Sequence, residues 1–80
     1  MNGQRIVDLK QAMQARYKRK YGQVTIHFEE SVAETDSITH IRYTICKEDG
    51  SFLRFSGRAA YADQHLYLEV SCTLSSRSTQ

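Results

Sequence analysis

The stretch HIRYTICKEDGSFLRFSGRAAY, residues 40–61, decides the fold. Apolar and polar side chains alternate in two runs, Ile41, Tyr43 and Ile45 in the first, and Leu53, Phe55, Gly57, Ala59 and Tyr61 in the second. A period of two marks half-buried strands, and the KEDGS between them carries turn chemistry. The length of that turn sets which side chains meet. A two-residue Asp49-Gly50 turn would place Ile45 opposite Arg54 and Cys46 opposite Leu53, apolar against polar along the whole ladder. A three-residue loop, Glu48-Asp49-Gly50 with Gly50 left-handed, places Ile45 opposite Leu53, Tyr43 opposite Phe55 and Ile41 opposite Gly57. The polar face then pairs Thr44 with Arg54 and Arg42 with Ser56, so the three-residue loop is expected.

The pattern extends in both directions. Downstream, Leu66, Leu68, Val70, Cys72 and Leu74 alternate with His65, Tyr67, Glu69, Ser71 and Thr73. A four-residue loop, Ala62 to His65, sets Tyr61 against Leu66 and Arg58 against Glu69. Gly57 and Ala59 thin the buried face where a helix can cross closely. Upstream, Val24, Ile26 and Phe28 alternate with Thr25, His27 and Glu29, and Glu30 to Ser37 reads as a polar loop with Val32 tucked beneath it. Before these, Ile6, Leu9, Met13 and Tyr17 recur at helical spacing, with Tyr21 one turn further on. The helix starts near Asn2 or Gly3 and stops at Gly22, a residue suited to the left-handed position after a last turn. The expected fold is α+β, an N-terminal helix packed on one face of a four-stranded antiparallel meander (α-β-β-β-β). Residues 1–74 make a single domain, and 75–80 a frayed polar tail.

Composition agrees. The chain has 80 residues, 40% hydrophobic and 25% charged, which suits one small folded core. Cys46 and Cys72 fall on non-adjacent strands, facing outward and inward, and lie too far apart for a disulfide; Cys72 is expected as a small core residue. No apolar run follows the first residues, and none approaches the ~20 residues of a membrane span, so the expected setting is cytoplasmic.

Catalytic chemistry finds no constellation. His27, His40 and His65 take outward positions on three different strands, without metal-ligand spacing. The serines and cysteines lack any nucleophile signature, and no glycine loop is built to cradle phosphate. Glu29 and Glu30 are adjacent on an extended chain, so they are expected to point to opposite faces. A non-enzymatic protein without metal or cofactor is expected.

Binding chemistry has more to work with. RYKRKYG, residues 16–22, concentrates Arg16, Lys18, Arg19 and Lys20 at the helix end, although the net charge is only +2. Cations there also favour the negative end of the helix dipole, a purely structural reason for them. An acidic run, Glu29, Glu30, Glu34 and Asp36, follows closely. Arg42, Arg54 and Arg58 project from the open sheet face with Phe52 and Tyr67 beside them, a composition that stacks on bases or forms protein hot spots. Two readings follow. One is a small protein contacting nucleic acid through the basic helix end, with the arginine and aromatic sheet face as a second contact. The other is a protein-interaction module or inhibitor, of the kind mobile elements encode, that occludes a site on a larger protein or nucleoprotein complex. The Leu66–Leu74 strand, at an edge with no proline, inward charge or expected bulge, is a candidate homodimer seam.

Overall fold

Good helix formers and an apolar stripe at helical spacing produce α1, Asn2–Tyr21. The computed structural model describes the backbone of residues 2–76 and the side chains of residues 7–75. The expected stripe position Ile6 and tail residues 77–80 lie outside these described parts. Gly22 stops the helix at φ 84°, and its N–H donates to the Lys18 carbonyl at 2.8 Å. Leu9, Met13 and Tyr17 are buried and Tyr21 is half-buried.

Four strands follow: β1 Val24–Ala33, β2 Thr39–Lys47, β3 Phe52–Ala62 and β4 His65–Ser76. They pair antiparallel in the order β1-β2-β3-β4, and α1 packs on one face. Ile41, Tyr43 and Ile45 of β2 are the centre of the core, joined by Ala59 and the helix stripe. Burying such a side chain contributes about 1.5–3 kcal/mol, so a core this small depends on each member.

The central hairpin has the expected register: Ile45 pairs with Leu53, Tyr43 with Phe55 and Ile41 with Gly57. Gly50 has φ 90°, and the Lys47 N–H donates to the Ser51 carbonyl at 2.9 Å. Asp49 Oδ1 accepts from the Ser51 N–H at 2.9 Å and from Ser51 Oγ at 2.5 Å, tying the loop from within.

Other expectations are corrected. The β3–β4 register is as expected, but Ala62 and His65 themselves pair, leaving a tight turn in which Asp63 and Gln64 have φ 53° and 62°. The supposed loop Glu30 to Ser37 is half strand: Ser31, Val32 and Ala33 pair with Ile41, His40 and Thr39. The free edge of β2 offers backbone hydrogen bonds that outweigh side-chain polarity. Val32 is not tucked under but 52% exposed. β4 continues through Ser75 and Ser76, and its register shifts between the partners Arg54 and Phe55, leaving Thr73 as an extra residue. Leu74 therefore opposes Arg54 on the open face instead of facing the helix, and the edge strand does carry a bulge. Cys72 pairs with Phe55 yet is exposed, because the helix does not reach over that end. At Gly57, φ 156°, β4 approaches closely: a Cβ would collide with the Glu69 carbonyl oxygen and lie 2.7 Å from Val70 Cα.

The helix is pinned to the sheet by aromatic side chains. The Tyr17 and Tyr43 hydroxyls share a buried hydrogen bond of 2.6 Å, and the Tyr17 ring lies 6.0 Å from both Tyr21 and Phe55. Tyr17→Phe or Tyr43→Phe leaves the other hydroxyl buried without that partner. Each is expected to cost about 1–2 kcal/mol by urea titration, and the double variant less than the sum.

Burial raises both phenols above the usual 10.0; for Tyr43 the bond to Tyr17 raises it further, whereas for Tyr17 the same bond works the other way. A raised acid is protonated in both folded and unfolded chains below pH 10, so its contribution is complete there and declines as the unfolded chain ionises. The melting temperature should be insensitive to these two groups up to about pH 9.5 and fall above about pH 10, and Tyr43→Phe should reduce the slope.

Candidate functional site

Burying Tyr17 turns the neighbouring residues outward. Arg16, Lys18, Arg19 and Lys20 are all exposed, and at 3.6 residues per turn they spread around the helix instead of along one line. Lys18, Arg19 and Lys20 occupy the last turn. Arg16 and Arg19 lie toward the β3–β4 turn, lining a hollow with Tyr61, Gln64, His65 and Leu66. Lys20 sits 5.5 Å and Lys47 5.1 Å from the centre of the Tyr21 ring. Lys47, supplied by β2, thus joins the basic end; it was missed because it lies far away in sequence. Among the described residues, no carboxylate forms an ion pair with any of these five cations.

The sheet arginines are in a different state. The β1–β2 register shifts between Phe28 and Glu30, so Glu29 is an extra residue. The bulge turns Glu29 and Glu30 toward the same arginine, contrary to the opposite-face expectation. Arg42 Nε is 3.4 Å from Glu29 Oε1, and Arg42 Nη2 is 3.7 Å from Glu30 Oε1. Arg54 Nη2 donates to Glu29 Oε2 at 3.3 Å, and Thr44 Oγ1 donates to the same oxygen at 2.7 Å. Arg58 Nε is 3.2 Å from Glu34 Oε1 and its Nη1 3.8 Å from Glu69 Oε1. Glu34 Oε1 also lies 3.8 Å from His40 Nε2. Three arginines thus meet four carboxylates on the open face, and that face is not a polycation.

Of the eight expected binding residues, the fold gathers Arg16, Lys18, Arg19 and Lys20 at one end and commits Arg42, Arg54 and Arg58 to ion pairs. Tyr67 stands 60% exposed on β4, its ring 6.2 Å from His65 in a stacked pair. Arg16 and Arg58, from opposite layers, line one groove of about 740 Å³ along the β4 edge with Ile38, Ala60, Leu66 and Leu68. Among the described residues no group of three metal-ligating side chains converges, and no helix is long and apolar enough to cross a membrane. Comparison with protein-family models, curated proteins and solved structures returns no match.

The Glu29 carboxyl is held below its usual 4.5, first by the Thr44 hydrogen bond, then by Arg54 and Arg42, against an opposing effect of desolvation. A depressed acid contributes stability that is complete above the unfolded value and is lost as pH falls below it. The melting temperature should therefore drop as pH falls below about 4.5, and Glu29→Gln should shrink that drop.

Proposed function

We propose that this is a small non-enzymatic binding protein that takes a nucleic-acid backbone on the basic C-terminal end of α1. The observation that carries the reading is the contrast between two sets of cations: the sheet arginines are held by carboxylates, while Arg16, Lys18, Arg19, Lys20 and Lys47 are not. The four helical cations are exposed within one or two turns, and Lys47 is half-buried beside them. Without carboxylate partners they are free to replace the counterions around phosphates, an exchange that supplies sequence-independent affinity. Spread around the helix end, they suit the irregular phosphate path of a flexible strand or the two backbones beside a groove. Arg42, Arg54 and Arg58 are left out of this contact because phosphate would have to compete with their carboxylates. The reading includes a cytoplasmic setting, where free thiols such as Cys46 and Cys72 stay reduced.

A second reading is favoured by the groove along β4, whose Ile38, Ala60, Leu66 and Leu68 offer apolar contact between two arginines. That composition suits a protein surface, and the chain would then act as an interaction module or inhibitor.

The experiment is fluorescence anisotropy with labelled single- and double-stranded DNA and RNA across a salt series. The wild type should bind all with little sequence preference. Affinity should fall about a hundredfold between ~50 and ~200 mM salt, as four phosphate contacts imply. The quadruple variant Arg16→Gln, Lys18→Gln, Arg19→Gln, Lys20→Gln should stay folded, with a slightly lower melting temperature from the lost helix-dipole contacts, and lose binding. No wild-type binding at ~50 mM salt, or unchanged affinity in the variant, moves the conclusion to the protein-binding reading.

A further inference from the structure

The strand β4 opens with His65-Leu66-Tyr67-Leu68-Glu69, and this run is chemically symmetric about Tyr67. Leucines flank the tyrosine, and a histidine and a glutamate flank the leucines. β4 is an edge strand of the sheet. Antiparallel pairing of two copies about a two-fold axis through Tyr67 would bring Leu66 opposite Leu68 and His65 opposite Glu69, twice each. We propose that β4 is the seam of a homodimer in this register, extending two four-stranded sheets into one.

Alternative registers fare worse. A two-fold axis perpendicular to a sheet keeps each residue on its own face, so only residues of equal parity can meet. Centring on Glu69 opposes two carboxylates. Centring on Val70 or beyond runs His65 and Leu66 into the bulge at Thr73, where the ladder is interrupted. Centring on Leu68 sets Tyr67 against Glu69 and leaves His65 facing Ser71, with no opposite charges joined. The Tyr67 register alone pairs aliphatic with aliphatic, aromatic with aromatic, and base with acid.

The side chains required are available. Tyr67 is 60% exposed, and the Glu69 side chain is 82% exposed, tied only at 3.8 Å to Arg58. His65 is exposed, and its Nδ1 lies 2.9 Å from the Asp63 carbonyl oxygen, so Nδ1 carries a hydrogen and donates. With Nδ1 so engaged, Nε2 is the atom left for Glu69 of the second copy, and it donates when the ring is protonated. Leu66 and Leu68, only half-buried in one chain, would complete their burial against each other.

The same two-fold axis places both α1 helices on one face of the joined sheet. Arg16 and Arg19, which lie toward the β4 side, would then flank the seam from both copies. This last consequence rests on the nucleic-acid reading; the dimer itself does not.

Sedimentation velocity at ~100 μM, without nucleic acid, should give a dimer mass. His65→Glu, which sets two carboxylates against one another at two places, and Glu69→Lys, which removes the acid from both places, should each weaken the dimer roughly tenfold. The double variant His65→Glu with Glu69→Lys should restore it. A monomeric wild type, or a double variant no tighter than the singles, overturns the proposal. The register has its own test in a Cys46→Ser, Cys72→Ser background. Tyr67→Cys should oxidise to a covalent dimer, because directly opposed strand residues lie ~4.5–5.5 Å apart at Cα. Cross-linking through Leu68→Cys in preference to Tyr67→Cys overturns it. The quadruple glutamine variant should dimerise as the wild type does, so failure of nucleic-acid binding and failure of the seam give separate readouts.

Discussion

The hydroxyl bond between Tyr17 and Tyr43 joins the only helix of the described residues to the middle of the sheet. Tyr43 is fully buried, so its hydroxyl cannot turn to water; it needs a partner inside the protein, and α1 supplies it. Once Tyr17 is committed inward, helical geometry leaves little freedom for its neighbours. Leu9 and Met13 fall on the same stripe, and Arg16, Lys18 and Arg19 are turned away from the core. One polar contact in an apolar interior therefore fixes both the rotation of the helix and the presentation of its charges.

A second constraint acts on the opposite face. One extra residue in β1, Glu29, converts an alternating strand into one that offers two successive carboxylates to Arg42. Glu29 also reaches Arg54 and accepts from Thr44, joining three strands through one side chain. The sheet face is thereby neutralised, and the net charge of +2 is distributed unevenly: the excess lies with the helix layer. The modest overall charge conceals this polarity, which is why composition alone argued so weakly for any partner.

The meander and its central register were legible because period-two alternation and turn length constrain each other, and only the three-residue loop kept Ile45, Tyr43 and Ile41 opposite apolar partners. The two bulges were not legible. Glu29-Glu30 and Cys72-Thr73-Leu74 fit an unbroken polar or alternating pattern equally well, and inserting one residue reverses every face beyond it. That reversal accounts for the misreading of Leu74, while Cys72 was misplaced because a strand pattern does not reveal how far a helix reaches. The basic end of α1 was legible as a cluster from its contiguity. Its freedom from carboxylates was not, since pairing with Arg42, Arg54 and Arg58 is decided by cross-strand neighbours that lie far apart along the chain.

The molecule extends 45 Å along its longest axis. A helix of 20 residues is about 30 Å long, shorter than that axis. Two corners of the sheet are bare, residues 31–33 of β1 and 71–75 of β4. They lie at opposite ends, since Ala33 pairs with Thr39 beside Ala59, whereas Ser75 pairs with Leu53. Each corner is secured by one neighbouring strand and little else, so each can open without disturbing the other. Amide protons of β2, hemmed in by strands on both sides and by the helix above, should be released only when the whole structure comes apart. The chain is thus a rigid diagonal with two independently fraying flaps, and solvent exchange should follow that diagonal instead of the order of the strands.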